Sequence, residues 1–118
     1  GGTIAYTDWI EGPAGLSDEE AERYLKFMKF PNVQDVDGYK ALLQDNGCDV
    51  QIAECTDRFP PYVDLYLQML DMQLTYDALK IIGFDMEMMG MLAGEMQFMQ
   101  GLAHENKIAQ GIFVATRK

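Results

Sequence analysis

The residues with the most chemical potential stand where the first extended stretch breaks off and on the two segments after it. Asp8 and Trp9 put a carboxylate and a large ring at the end of Thr3-Ile4-Ala5-Tyr6, and Tyr24, Phe30 and Tyr39 add three rings downstream. A carboxylate among aromatic faces is what a pocket for an alkylated ammonium needs: ring faces attract the cation and the acid neutralises it. The same rings serve equally well as core in a small domain, and the residue types leave both readings open. Asp8, Trp9, Tyr24, Phe30 and Tyr39 are the candidate substrate-binding residues, and no catalytic residue is assigned.

Other chemistry is sparser. His104 beside Glu105 has the makeup of a general base with its orienting group, but a lone histidine near a helix end also suits the negative pole of the helix. Met86, Met88, Met89, Met91, Met96 and Met99 crowd one segment. Soft thioethers suit Cu(I), yet methionine more commonly fills gaps in cores and interfaces. Neither cysteine lies among them and His104 is the single histidine, so the cluster reads as a second buried face or a protein contact, and no metal is assigned. Cys48 and Cys55 form no Cys-x-x-Cys and read as reduced thiols. Gly-x-Ser-x-Gly, phosphate-loop, His-Glu-x-x-His and Gly-x-Gly-x-x-Gly patterns are all missing.

Charge narrows the partners. Nineteen acidic residues against nine basic ones give a formal net charge of −10 over 118 residues. Phosphate backbones need a basic patch and anionic lipid repels an acidic chain, so neither nucleic acid nor a membrane surface is expected. No signal-peptide pattern or membrane-length apolar run appears. With the unpaired cysteines, this gives a cytoplasmic expectation. The length fits one domain, residues 1–118, and an apolar fraction of 48% supports a folded core.

The elements that would position these residues follow from pattern. Thr3 to Tyr6, uncharged and rich in β-formers, reads as a strand covered on both faces. Ser17-Asp18-Glu19-Glu20 starts a helix with a capping box, and Ala21, Tyr24, Leu25 and Met28 form its inner stripe before a stop near Phe30-Pro31. A second helix, capped by Asp35 or Asp37, carries Tyr39, Leu42 and Leu43 inward and ends at Asn46-Gly47. Cys48 to Glu54 alternates as a half-buried strand, ended by Thr56-Asp57-Arg58-Phe59-Pro60-Pro61. Val63, Tyr66, Leu67, Leu70, Leu74, Ala78 and Ile81 then give a long helix one apolar face, closed by Gly83. Asp85 caps another helix reaching about Glu105, and Ile108 to Thr116 is the last strand.

At this point the order of parts resembles a known family. Gly1-Gly2-Thr3-Ile4-Ala5-Tyr6-Thr7-Asp8-Trp9 looks like the fifth strand of a class I S-adenosylmethionine (SAM) methyltransferase. Ser17-Asp18-Glu19-Glu20 through Tyr24, Phe30 and Asp37-Gly38-Tyr39 to Ala41–Cys48 resembles the next segment of the phosphoethanolamine, sarcosine and dimethylglycine N-methyltransferase group. Cys48–Asp57 and Gln110–Thr116 look like strands six and seven. The resemblance implies an α+β fold (a partial α/β fold): a three-strand remnant of the methyltransferase sheet, strands five, six and seven, with four helices, two of them a long Met-rich insertion. Strands six and seven would pair antiparallel, with five beside seven. Trp9, Tyr24 and Phe30 would line the substrate pocket beside Asp8. Gln97–Gly101 holds no Lys or Arg where relatives grip a phosphate, which favours a small unphosphorylated amine of the betaine pathway. The glycine-rich SAM loop and the acidic residue ending strand two are missing, so the resemblance covers a carboxyl-terminal half. It implies SAM for the complete family enzyme and no cofactor bound by this chain alone.

Three functions follow as expectations. The first is the substrate-side half of a small-amine N-methyltransferase, inactive alone. The second is a non-catalytic amine-binding domain, and the third an interaction module built on the Met-rich helix. Bare strand edges and helix faces invite a second copy or a complementary amino-terminal half, so a homodimer is the expected assembly.

Overall fold

The computed structural model describes residues 1–70 and 73–118. In chain order these form β1 (Thr3–Glu11), α1 (Asp18–Met28), α2 (Val36–Asp45), β2 (Cys48–Thr56), α3 (Phe59–Leu70), α4 (Gln73–Ile81), α5 (Met86–His104) and β3 (Ile108–Arg117). The fold is mixed α+β: one open, antiparallel three-stranded sheet of order β1-β3-β2 with five helices among the described residues. The last strand is therefore central, antiparallel to both neighbours, which is the strand order the resemblance implied.

Local chemistry sets the helix ends. The Ser17 side chain accepts from the Glu20 N–H while the Glu20 carboxylate accepts from the Ser17 N–H, closing the capping box of α1. Asp35 caps α2 by accepting from the Gly38 N–H at 2.7 Å, and Asp85 caps α5 through the Met88 N–H. Lys29 takes the left-handed conformation that stops α1 before Pro31.

Parity distributes the side chains. Ile10, Tyr6, Ala109 and Phe113 lie on one sheet face beside Ala53 of β2, where Val36, Tyr39 and Leu43 of α2 pack on them. Trp9 and Ile108 lie on the other, against Tyr24 of α1, Phe59 and Val63 of α3, and Met99, Leu102 and Ala103 of α5. A bulge between Val50 and Ile52 shifts the register of β2.

Several expectations are corrected. Thr3–Tyr6 is not a strand covered on both faces: β1 is an edge strand, Ile4 keeps 47% of its surface exposed, and only Ile10 along it is buried. An uncharged β-forming run suits a covered strand and an uncovered edge alike, and pairing with β3 alone left this one at the edge. Leu42, placed on the inner face of α2, is exposed. Five helices stand where four were expected, because the Val63–Ile81 stretch is described as α3 and α4; residues 71–72, between them, lie outside the described residues. On that apolar stripe Val63 is buried and Leu67 packs on the core, but Ile81 is 85% exposed. Leu70 and Leu74, in its middle, have side chains outside the described set. Phe59-Pro60-Pro61 opens a helix as well as following a strand, as proline tolerates a first turn.

Candidate functional site

Successive residues of a strand point to opposite faces, and this divides the Asp8-Trp9 corner. Asp8 shares parity with Tyr6 and Ile10 on the face that α2 covers, whereas Trp9 faces α1, α3 and α5. One Asp8 oxygen, Oδ1, accepts from the Trp9 backbone N–H at 2.8 Å, and the other, Oδ2, accepts from the Tyr39 phenol. The carboxylate thus sits at the rim of β1, held by its own strand and by α2.

Around it the aromatic residues form a connected group. Tyr39 lies 4.9 Å from the Phe113 ring and edge-on to Tyr6 at 5.8 Å, while Tyr6 stacks on Phe113 at 5.0 Å. The hydrogen bond to Asp8, followed by burial, pushes the Tyr39 phenol up to about 12. Tyr24 is fully buried and edge-on to Phe30 at 6.1 Å. Its hydroxyl is the one buried side-chain polar atom without a hydrogen-bond partner among the described residues. Burial first, then the negative field of Asp8, raises the Tyr24 phenol well above its ordinary range. An unsatisfied buried hydroxyl is costly, and such groups mark strained or ligand-directed positions.

Trp9 belongs to a different space. It packs edge-on to Phe59 at 5.2 Å and lines a cavity of about 670 Å³ with Phe27, Met96, Met99 and Gln110. The polar side-chain groups among its lining residues are the Gln110 amide, the Trp9 indole N–H and the Tyr62 and Tyr66 hydroxyls; Asp8, Tyr24, Phe30 and Tyr39 do not line it. The structure therefore joins Asp8 to Tyr39 and Tyr24 to Phe30, and places Trp9 at a neighbouring apolar pocket. Phe59 and Gln110 were not singled out from sequence. Reading Phe59-Pro60-Pro61 as a helix start would have set Phe59 and Val63, four residues apart, on one face.

The remaining candidates are placed as follows. His104 is oriented by Asp64 of α3, Nε2 to Oδ1 at 2.7 Å, and Asp64 also accepts from Gln100 Nε2 at 2.7 Å. Glu105 pairs with Lys107 at 3.2 Å, and the group that orients His104 is Asp64. These hydrogen bonds, His104 first, hold the Asp64 carboxyl below its usual range. Met99 is buried while Met86, Met88 and Met91 are exposed, so the methionine cluster is core at one end of α5 and surface at the other. Cys48 and Cys55 are free thiols, and no group of three His, Cys, Asp or Glu able to hold a metal converges among the described residues.

SAM would require free backbone N–H groups at a glycine-rich turn into a helix, with a carboxylate for its ribose. The glycine-containing turn after β1 does not offer them. The N–H groups of Gly12 and Ala14 are given to the Lys107 and Asn106 carbonyls, that of Gly15 to Gly12, that of Leu16 to Glu11 and that of Ser17 to Glu20. A Cβ on Gly12 would come within 2.2 Å of the Asn106 carbonyl oxygen, which shows how tightly this turn is filled. These residues do not fit the cofactor. No helix among the described residues is long and apolar enough to cross a membrane. Compared with protein-family models and with curated proteins, the chain matches none.

Proposed function

We propose that this chain is a methyltransferase-derived domain carrying the substrate side of a small-amine N-methyltransferase, with no activity of its own. The observation that supports this most is the strand order β1-β3-β2 with the final strand reversed in the middle, the arrangement expected of strands five, seven and six. Asp8 near the carboxyl end of β1 and Tyr39 from α2 form the polar centre, as ligands of open sheets bind at strand carboxyl ends. In this reading Asp8 neutralises an ammonium, the rings of Tyr6 and Tyr39 give it apolar and cation–π surroundings, and the unpartnered Tyr24 hydroxyl meets a polar atom of the ligand. The methyl donor would be held by a complementary half.

Two titrations test it. Calorimetry with SAM gives no tight binding, and thermal shift with choline-like and glycine-derived amines gives stabilisation that Asp8→Asn abolishes. Tight SAM binding by this chain, or no response to any amine, overturns the proposal.

A second reading is favoured by the cavity beside Trp9: a non-catalytic domain that binds an apolar or aromatic small molecule, with Gln110 as its polar anchor. Trp9→Ala then removes ligand stabilisation while Asp8→Asn leaves it intact, which separates the two.

A further inference from the structure

The two edges of the sheet differ. On β1 the even-numbered residues face β3 with their hydrogen-bonding groups: Gly2 accepts from the Arg117 N–H, and Ile4, Tyr6, Asp8 and Ile10 continue that parity. The odd-numbered N–H and C=O groups therefore point out of the sheet. At the carboxyl end the chain satisfies the outward N–H groups itself, Glu11 through the Gln34 carbonyl at 2.9 Å and Trp9 through Asp8. Thr3, Ala5 and Thr7 have no such partner among the described residues, and all three are exposed. The opposite edge, on β2, is interrupted by its bulge and carries Asp49 and Glu54, two devices that block strand addition.

We infer that Thr3–Thr7 of β1 is a pairing edge for a second copy of this chain, joined antiparallel about a two-fold axis at Ala5 to make a continuous six-stranded sheet. The segment is self-complementary. Ala5 would exchange both hydrogen bonds with Ala5 of the other copy, and Thr3 both with Thr7, so every outward group of the stretch is used. Between these pairs Ile4 meets Tyr6 of the other copy, which covers an Ile4 side chain otherwise 47% exposed. No charged residue lies between Gly1 and Thr7, although the chain carries −10 overall, so copies meet at this edge without opposed carboxylates. The Gln34 loop that closes the edge at Glu11 lies beyond the paired stretch. This inference stands on the sheet's hydrogen-bond pattern and not on the proposed function.

Sedimentation equilibrium of the full chain over a concentration series tests it. A monomer–dimer equilibrium is expected. Ala5→Pro removes only an outward N–H, leaves every bond to β3, and weakens dimerisation by about tenfold or more, since two symmetry-related hydrogen bonds go. The double variant T3K/T7K sets like charges opposite each other and gives monomer; T3K/T7E sets an ammonium opposite a carboxylate on both sides of the axis and restores dimer. Circular dichroism and thermal melts confirm that each variant is folded. Hydrogen exchange at Thr3, Ala5 and Thr7 slows as concentration rises. A monomer at every concentration, or a dimer indifferent to Ala5→Pro and to T3K/T7K, overturns the inference.

Discussion

Tyr39 donates its phenolic hydrogen bond to Asp8, tying the middle of α2 to the edge strand β1 across 31 positions of sequence. The Tyr39 ring lies 4.9 Å from that of Phe113, which stacks on Tyr6 and is fully buried. One polar contact thus fixes how α2 lies on the sheet and where the carboxylate points.

This contact predicts an alkaline limb. The Tyr39 phenol, ordinarily near 10, is raised to about 12 by Asp8. A raised folded-state value means that its stabilising contribution is fully present below the unfolded value, near 10, and is lost as pH rises through about 12. Absorbance titration of the phenolates is expected to show a late-titrating tyrosine that Asp8→Asn returns toward the ordinary range. Tyr39→Phe should destabilise the fold by about 1.5–3 kcal/mol in urea unfolding, as for a hydrogen bond to a charged group.

Tyr24 predicts the opposite sign. Its buried hydroxyl has no partner, so Tyr24→Phe removes a desolvation penalty while keeping the ring packed on Phe30. Stability should rise by roughly 1 kcal/mol, read from the urea midpoint. If the hydroxyl serves an amine ligand, the same variant loses the ligand-induced thermal shift, a trade of function for stability. A loss of stability would mean that the hydroxyl has a partner.

Gly12 should tolerate no side chain. A Cβ there meets the backbone of Asn106 and Lys107, which cannot rotate away as a side chain would. Gly12→Ala should cost about 1–3 kcal/mol or more through forced backbone movement, seen as a lower Tm. Gly94 in α5 has open space at its Cβ, and Gly94→Ala should instead raise stability by up to about 1 kcal/mol through helix propensity.

Asp64 sets an acid limb. His104 and Gln100 depress its carboxyl, so the pairing of α3 with α5 contributes stability above the ordinary carboxylate range and loses it as pH falls through the lowered value. Thermal melts of Asp64→Asn against the parent should differ at neutral pH and converge in strong acid. Curves that stay parallel to the lowest pH would show that the pair carries no proton linkage.

Much of the local structure was legible because it is local. Ser17 with Glu20, and Asp85, satisfy N–H groups within three residues of themselves, so their capping was readable from spacing, whereas Asp35 and Asp37 fitted the start of α2 alike and the structure gives the cap to Asp35. The inner stripe of α1 was readable too, since Tyr24, Leu25 and Met28 recur at helical period. The five candidate site residues were a looser reading. Asp8 and Trp9 are neighbours in sequence, yet strand alternation sends them to opposite faces, and Phe59 beside two prolines has the pattern of a strand end although it begins a helix. The exposed tip of the helical region was not legible either, because Ile81 and Met86 have the composition of core.

The sequence by itself determined the three strands in their order, the N-caps Ser17 and Asp85, and the lack of a Gly-x-Gly-x-x-Gly pattern, since each is written in neighbouring residues. Only the tertiary structure decided that β1 keeps an open edge at Thr3, Ala5 and Thr7, and that Asp8 meets Tyr39 while Trp9 meets Phe59. Those outcomes follow from which distant strand took up the hydrogen-bonding groups of β1, a choice made by packing across the whole chain that no local pattern encodes.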